Sequence, residues 1–131
     1  MKKFAFLLLL LMNLSAQTNS DFVTVVGDSL VGKLIQNENV REVIGNVVIT
    51  QGNVKATCDM AIQYLKRNQI ELLKNVVITQ DTITLLTDRG FYFSDTKIAV
   101  SDTSIILNDG HIILKADSGL YNTNLERADF K

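Results

Sequence analysis

Three aspartates share one spacing in this chain: Asp59, Asp88 and Asp117 lie 29 residues apart. They occur in CDMAIQY, TDRGFYF and ADSGLYN, each with a small residue two places on, at Ala61, Gly90 and Gly119. A ladder of carboxylates could hold calcium, or act as acid and base across a glycosidic bond. Calcium-binding repeats use shorter, glycine-dense periods with several ligands in each. Glycoside hydrolysis needs two carboxylates converging on one bond. One aspartate per repeat meets neither demand, and a recurring turn or strand-end position explains the spacing more simply. Other reactive side chains are as sparse. His111 is the single histidine and has no carboxylate or cysteine at a metal-ligand spacing, so it reads as a surface strand residue. Ser29, Ser118 and Cys58 show no base partner, and the G-x-S-x-G elbow is absent. Cys58, the lone cysteine, cannot close an internal disulfide and reads as a small buried hydrophobe. The chain is expected not to be an enzyme, and to use no metal and no cofactor.

The elements that carry these residues repeat with them. NVVITQ occurs at Asn46–Gln51 and again at Asn75–Gln80, and the same offset reaches a degenerate copy, SIILND, beginning at Ser104. GDSLVGKL at Gly27–Leu34 resembles the aspartate-containing segment, shifted by about two residues. Inside each unit the period is two. Val54, Ala56, Cys58, Met60, Ile62 and Tyr64 share one parity, against Asn53, Lys55, Thr57, Asp59 and Gln63. Ile83, Leu85, Phe91 and Phe93 form the apolar set of the next unit, and Ile112, Leu114, Ala116 and Leu120 that of the third. Such alternation predicts half-buried strands with one face in and one face out. Turn-like clusters (QGN, KRNQ, FSDT, NDG) separate the runs, and with no proline no ladder donor is lost. The expected class is all-β: stacked antiparallel strands in units of about two strands each. An open stack leaves an unpaired edge at each end.

At the start, Lys2 and Lys3 precede nine apolar residues, Phe4–Met12, and then a small, polar stretch with Ser15-Ala16. This is the pattern of a secretory signal peptide. The run is too short for a membrane helix, which needs about 20 apolar residues. The expected division is 1–16 as signal peptide and 17–131 as one β domain, either a whole short protein or the first module of a longer one. Without Lys2 and Lys3, 11 basic residues face 14 acidic ones. No basic cluster stands out, so nucleic acid is excluded as an expected partner.

GNVVITQGNVKATCDMAIQY, followed by NQIELLKNVVITQDTITLLTDRGFY, resembles the OstA-like family. That family includes the periplasmic lipopolysaccharide-transport proteins LptA and LptC and the N-terminal domain of LptD. The resemblance spans about Asp28 to Phe130. It rests on a strand reading G-N-V-x-[IV]-T-Q-G, a following strand with an "AD" or "CD" pair, and repetition of both. It implies a β-jellyroll with an apolar interior groove for acyl chains, a non-enzymatic role, and a periplasmic location. It also implies edge-to-edge joining with LptC-like or LptD-like modules, or end to end with further copies. The repeated strands carry over as Val47 and Ile49, Val76 and Ile78, and Ile105 and Leu107.

An acyl chain crossing water must be covered along its length, since each buried methylene is worth about 0.8 kcal/mol. The expected groove wall is Val47, Ile49, Val54, Val76, Ile78, Ile83, Leu85, Phe91, Phe93, Ile105, Leu107, Ile112 and Leu114. The expected ligand is lipopolysaccharide or its lipid A. The same residues could instead form a plain closed core. In that case the chain would be a structural β-solenoid, a surface or adhesion protein without a lipid ligand. A β-helical glycan-active enzyme is a weaker rival, for want of converging carboxylates.

Overall fold

The computed structural model describes residues 22–131. The expected signal peptide, 1–16, and the first residues of the β domain lie outside that range. Eleven strands follow one another with no helix between them among the described residues: β1 (Thr24–Val26), β2 (Ser29–Ile35), β3 (Glu38–Gln51), β4 (Val54–Tyr64), β5 (Gln69–Gln80), β6 (Ile83–Phe93), β7 (Ile98–Ser101), β8 (Ile105–Asn108), β9 (Ile113–Ala116), β10 (Gly119–Asn122) and β11 (Arg127–Phe130). All the pairings are antiparallel and belong to one sheet, with β3, β4, β5 and β6 as consecutive neighbours at its centre.

The central strands are too long to stay flat, and the sequence creases each of them. In β3, Gly45 and Asn46 both take positive φ (82° and 47°); in β5, Lys74 and Asn75 do the same (66° and 51°). Register shifts mark the same places, between Ile44 and Val47, Thr57 and Met60, and Leu73 and Val76. These are bulges, which bend and twist a strand. The crease folds the sheet into two leaves. One holds β1, residues 47–51, 54–58, 76–80 and 83–87, β8 and β9. The other holds β2, residues 38–44, 60–64, 69–73 and 89–93, β7, β10 and β11. The 29-residue unit is thus one creased hairpin, and in the third unit the long strands part into β7 with β8 and β9 with β10.

The leaves close on a single apolar core. Val47, Ile49, Val54, Ala56, Cys58, Val76, Ile78, Leu85, Ile105 and Leu107 come from one leaf, and Val43, Ala61, Ile70, Leu72, Tyr92, Ala99 and Tyr121 from the other. The strict alternation expected along each strand does not survive the crease, because bulges change which parity faces inward. In β4 the buried set steps from Cys58 to Ala61, so Met60, Ile62 and Tyr64 turn outward. In β6 it steps from Leu85 to Gly90 and Tyr92, so Phe91 and Phe93 lie on the outer face, half-buried. Leu120 is likewise turned out beside the buried Tyr121.

Candidate functional site

Each position of NVVITQ has a distinct task. Asn46 and Asn75 occupy the crease at positive φ, which Asn tolerates better than other non-glycine residues. Each side chain also donates across the crease to an aspartate: Asn46 Nδ2 to Asp28 Oδ2 at 2.9 Å, and Asn75 Nδ2 to Asp59 Oδ2 at 2.8 Å. Val47, Ile49, Val76 and Ile78 point into the core, each no more than 5% exposed. The terminal glutamines, Gln51 and Gln80, are buried as well.

Those glutamines join the two leaves opposite the crease. The Tyr92 hydroxyl donates to Gln51 Oε1, and the Tyr121 hydroxyl donates to Gln80 Oε1 at 2.7 Å. In turn Gln51 Nε2 donates to the Ser94 carbonyl at 3.0 Å, and Gln80 Nε2 to the Thr123 carbonyl at 2.9 Å. Both clasps span 41 residues, and their members are related by the 29-residue repeat. Burial pushes the hydroxyls of Tyr92 and Tyr121 above the usual tyrosine range. The molecule is therefore hinged along one long side by Asn–Asp pairs and pinned along the other by Gln–Tyr pairs. The clasps were missed in the sequence, although the signal was present: Gln51 and Gln80 end the repeated hexamer, and Tyr92 and Tyr121 keep the same offset.

The expected wall residues divide by place. Val47, Ile49, Val54, Val76, Ile78, Leu85, Ile105 and Leu107 are together in the core, and Ile83 packs against it, partly buried. Leu114 pairs with Leu107, but its strand is an edge, and it stays 50% exposed. Ile112 precedes that strand in a turn and is 55% exposed. Phe91 and Phe93 belong to the outer face. There Phe91 lies opposite Glu71, which accepts from Arg89 Nε at 3.0 Å and from the Tyr64 hydroxyl at 3.2 Å.

The chemistry-bearing residues stay apart. Asp59 and Asp88 lie at the crease in separate strands. Among the described residues no group of three or more His, Cys, Asp and Glu could hold a metal ion. The Cys58 thiol is buried, donates to the Met60 carbonyl at 3.2 Å, and is pushed up by that burial. His111 is exposed in the turn before β9 rather than in a strand. Its backbone N–H and that of Ile112 donate to Asp109, whose carboxyl they hold below the usual range.

The OstA-like protein family model matches residues 21–131. The chain belongs to the OstA-like family. Among solved structures, the OstA-like fold seen here matches LptH from Pseudomonas aeruginosa, described as the LptA-homologous periplasmic component of a conserved lipopolysaccharide transport device. The TM-score is 0.71 at 19% identity, covering 85% of each chain, so the shared property is the fold, the LptA β-jellyroll. No curated protein matches.

Proposed function

We propose that this OstA-like chain is a passive, non-enzymatic module of lipopolysaccharide transport in the periplasm. Its interior takes the acyl chains of lipid A, and its open ends pair with neighbouring modules, whether LptC-like, LptD-like or further copies. The observation that carries this reading is the two-leaved apolar interior, lined at repeated positions by Val47, Ile49, Val76, Ile78, Ile105 and Leu107. The family membership and the fold shared with LptH supply its context. The core side chains pack against one another, so acyl chains enter as the leaves part along the clasped side. An apolar slot of this kind has one job, to cover methylenes that would otherwise meet water. The outward aspartates contribute folding contacts rather than catalysis.

The close packing of the interior also favours the structural reading, in which the core is only a core. Binding of labelled lipopolysaccharide to the mature protein separates the two. Saturable binding is expected. Ile83→Asp, at the partly buried rim of the interior, is expected to weaken it about tenfold or more. Phe91→Asp, on the outer face, is expected to leave it unchanged. A well-folded protein that shows no saturable binding would overturn the transport reading.

A further inference from the structure

The clasp row is incomplete at one end. By register, Gln63, Ile70, Tyr92, Ala99 and Tyr121 form one cross-strand row on the inner face, so Gln63 occupies the place of the clasp tyrosines. Its expected partner, 29 residues before Gln51, is Phe22 rather than a glutamine. Packed sheets stand about 10 Å apart, a gap that a tyrosine spans toward a glutamine and a glutamine side chain does not. Where the third clasp would sit, the seam opens into a cleft of about 520 Å³. Its lining includes Gln63, Asn68, Ser94, Asp95, Lys97 and Asn124, with Phe22 at the rim.

We propose that this cleft is a saccharide-binding site, built where the first repeat unit gives up its tyrosine clasp. Carboxamides and a hydroxyl present donors and acceptors side by side, the pattern that sugar hydroxyls, each donor and acceptor at once, require. The volume falls in the range of small-ligand sites, about 300–1,000 Å³. The Phe22 ring, 72% exposed at the rim, offers an apolar face to the C–H side of a pyranose. Asp95 and Lys97 both line the cleft and offset one another in charge, so its neutral carboxamides and the Ser94 hydroxyl read the hydroxyl-bearing face of a sugar. Resting on the transport reading above, the site seats the sugar of an amphiphile whose acyl chains lie between the leaves.

The test uses the mature chain, isotope-labelled, with side-chain amide resonances followed by NMR. An unacylated aminohexose disaccharide is expected to give saturable shifts at Gln63, Asn68 and Asn124. Gln63→Tyr, which supplies the ring present in the other units, is expected to weaken that binding by about tenfold or more. Asn124→Leu, at an exposed turn, is expected to weaken it as well, and serves if Gln63→Tyr fails to fold. No saturable shift with wild type, or full binding by a folded variant, overturns the proposal. Palmitate, followed in parallel, reports on the interior alone: disaccharide binding without palmitate binding keeps the cleft and removes the acyl reading. An acylated form of the disaccharide that binds about tenfold tighter identifies a lipid headgroup as the ligand. Equal affinity identifies a free glycan in the same site.

Discussion

The Tyr92 and Tyr121 hydroxyls end inside the protein, and each has a glutamine carbonyl as acceptor. Removing one hydroxyl leaves a buried acceptor without its donor, which costs about 1–3 kcal/mol. Tyr92→Phe and Tyr121→Phe are each expected to lower unfolding free energy by that amount in urea titrations, although the ring still fills its place. A surface tyrosine would show almost no change. The same burial makes a pH prediction. It disfavours the phenolate, so the folded-state values of Tyr92 and Tyr121 lie above their unfolded value of about 10. Their contribution is therefore complete below about pH 10 and is lost as pH rises through the folded values. Stability measured by denaturant at increasing alkaline pH should fall steeply for wild type. It should fall less steeply for the double phenylalanine variant, with Tyr64, also raised by burial, keeping part of the slope.

The crease is set by a few backbone positions within otherwise ordinary strands. Lys74 holds φ at 66° with no special aptitude for it, whereas its counterpart in β3 is Gly45. Left-handed backbone costs an L-residue about 1–2 kcal/mol, a strain glycine does not carry. Lys74→Gly is expected to raise the thermal midpoint, and Asn75→Val, β-branched at φ 51° and unable to donate to Asp59, to lower it. Opposite results would mean that the crease is imposed by packing alone. These positions also decide what could be read from the sequence. The all-β class, the unit length and the inner set of Val47, Ile49, Val76 and Ile78 were legible, because each lies in an unbroken stretch of period two. Phe91 and Phe93 were read as inner because parity was carried unchanged from Leu85. The bulge opposite Thr87 to Arg89 reverses it, and the sequence at that point, TDRG, has no pattern that marks a change of face. The aspartates were placed at turns or strand ends. Asp117 does lie at a strand end, between β9 and β10, but Asp59 and Asp88 sit at mid-strand creases. Asp59, and Asp28 just before β2, accept from Asn75 and Asn46. The small residues after them have a like cause: a Cβ at Gly90 would stand 2.9 Å from the Val100 carbonyl, and one at Gly119 would meet the Phe130 ring.

A folded-over open sheet has ends, and this one leaves them apolar. In β2 every residue is exposed, with Leu30 and Leu34 at 58% and 67%. At the other end β9 pairs only with β8 and exposes Ile113 at 63%. Soluble proteins blunt such edges with charge, proline or a covering element, since a bare strand recruits another. The β2 edge has Lys33, engaged with Glu42 at 2.7 Å, as its charged residue. The two ends differ in sequence, so joining one to the other is heterologous, and repetition gives a rod rather than a closed ring. Sedimentation of residues 17–131 is therefore expected to show a weight-average mass that climbs with concentration without reaching a plateau at dimer. Leu30→Lys together with Leu34→Lys should hold the protein monomeric while leaving its thermal midpoint nearly unchanged, because both side chains already face solvent. A rise in mass that the paired lysines do not suppress would place the contact elsewhere. A plateau at dimer would mean that one end pairs with its own kind, and the rod would be excluded.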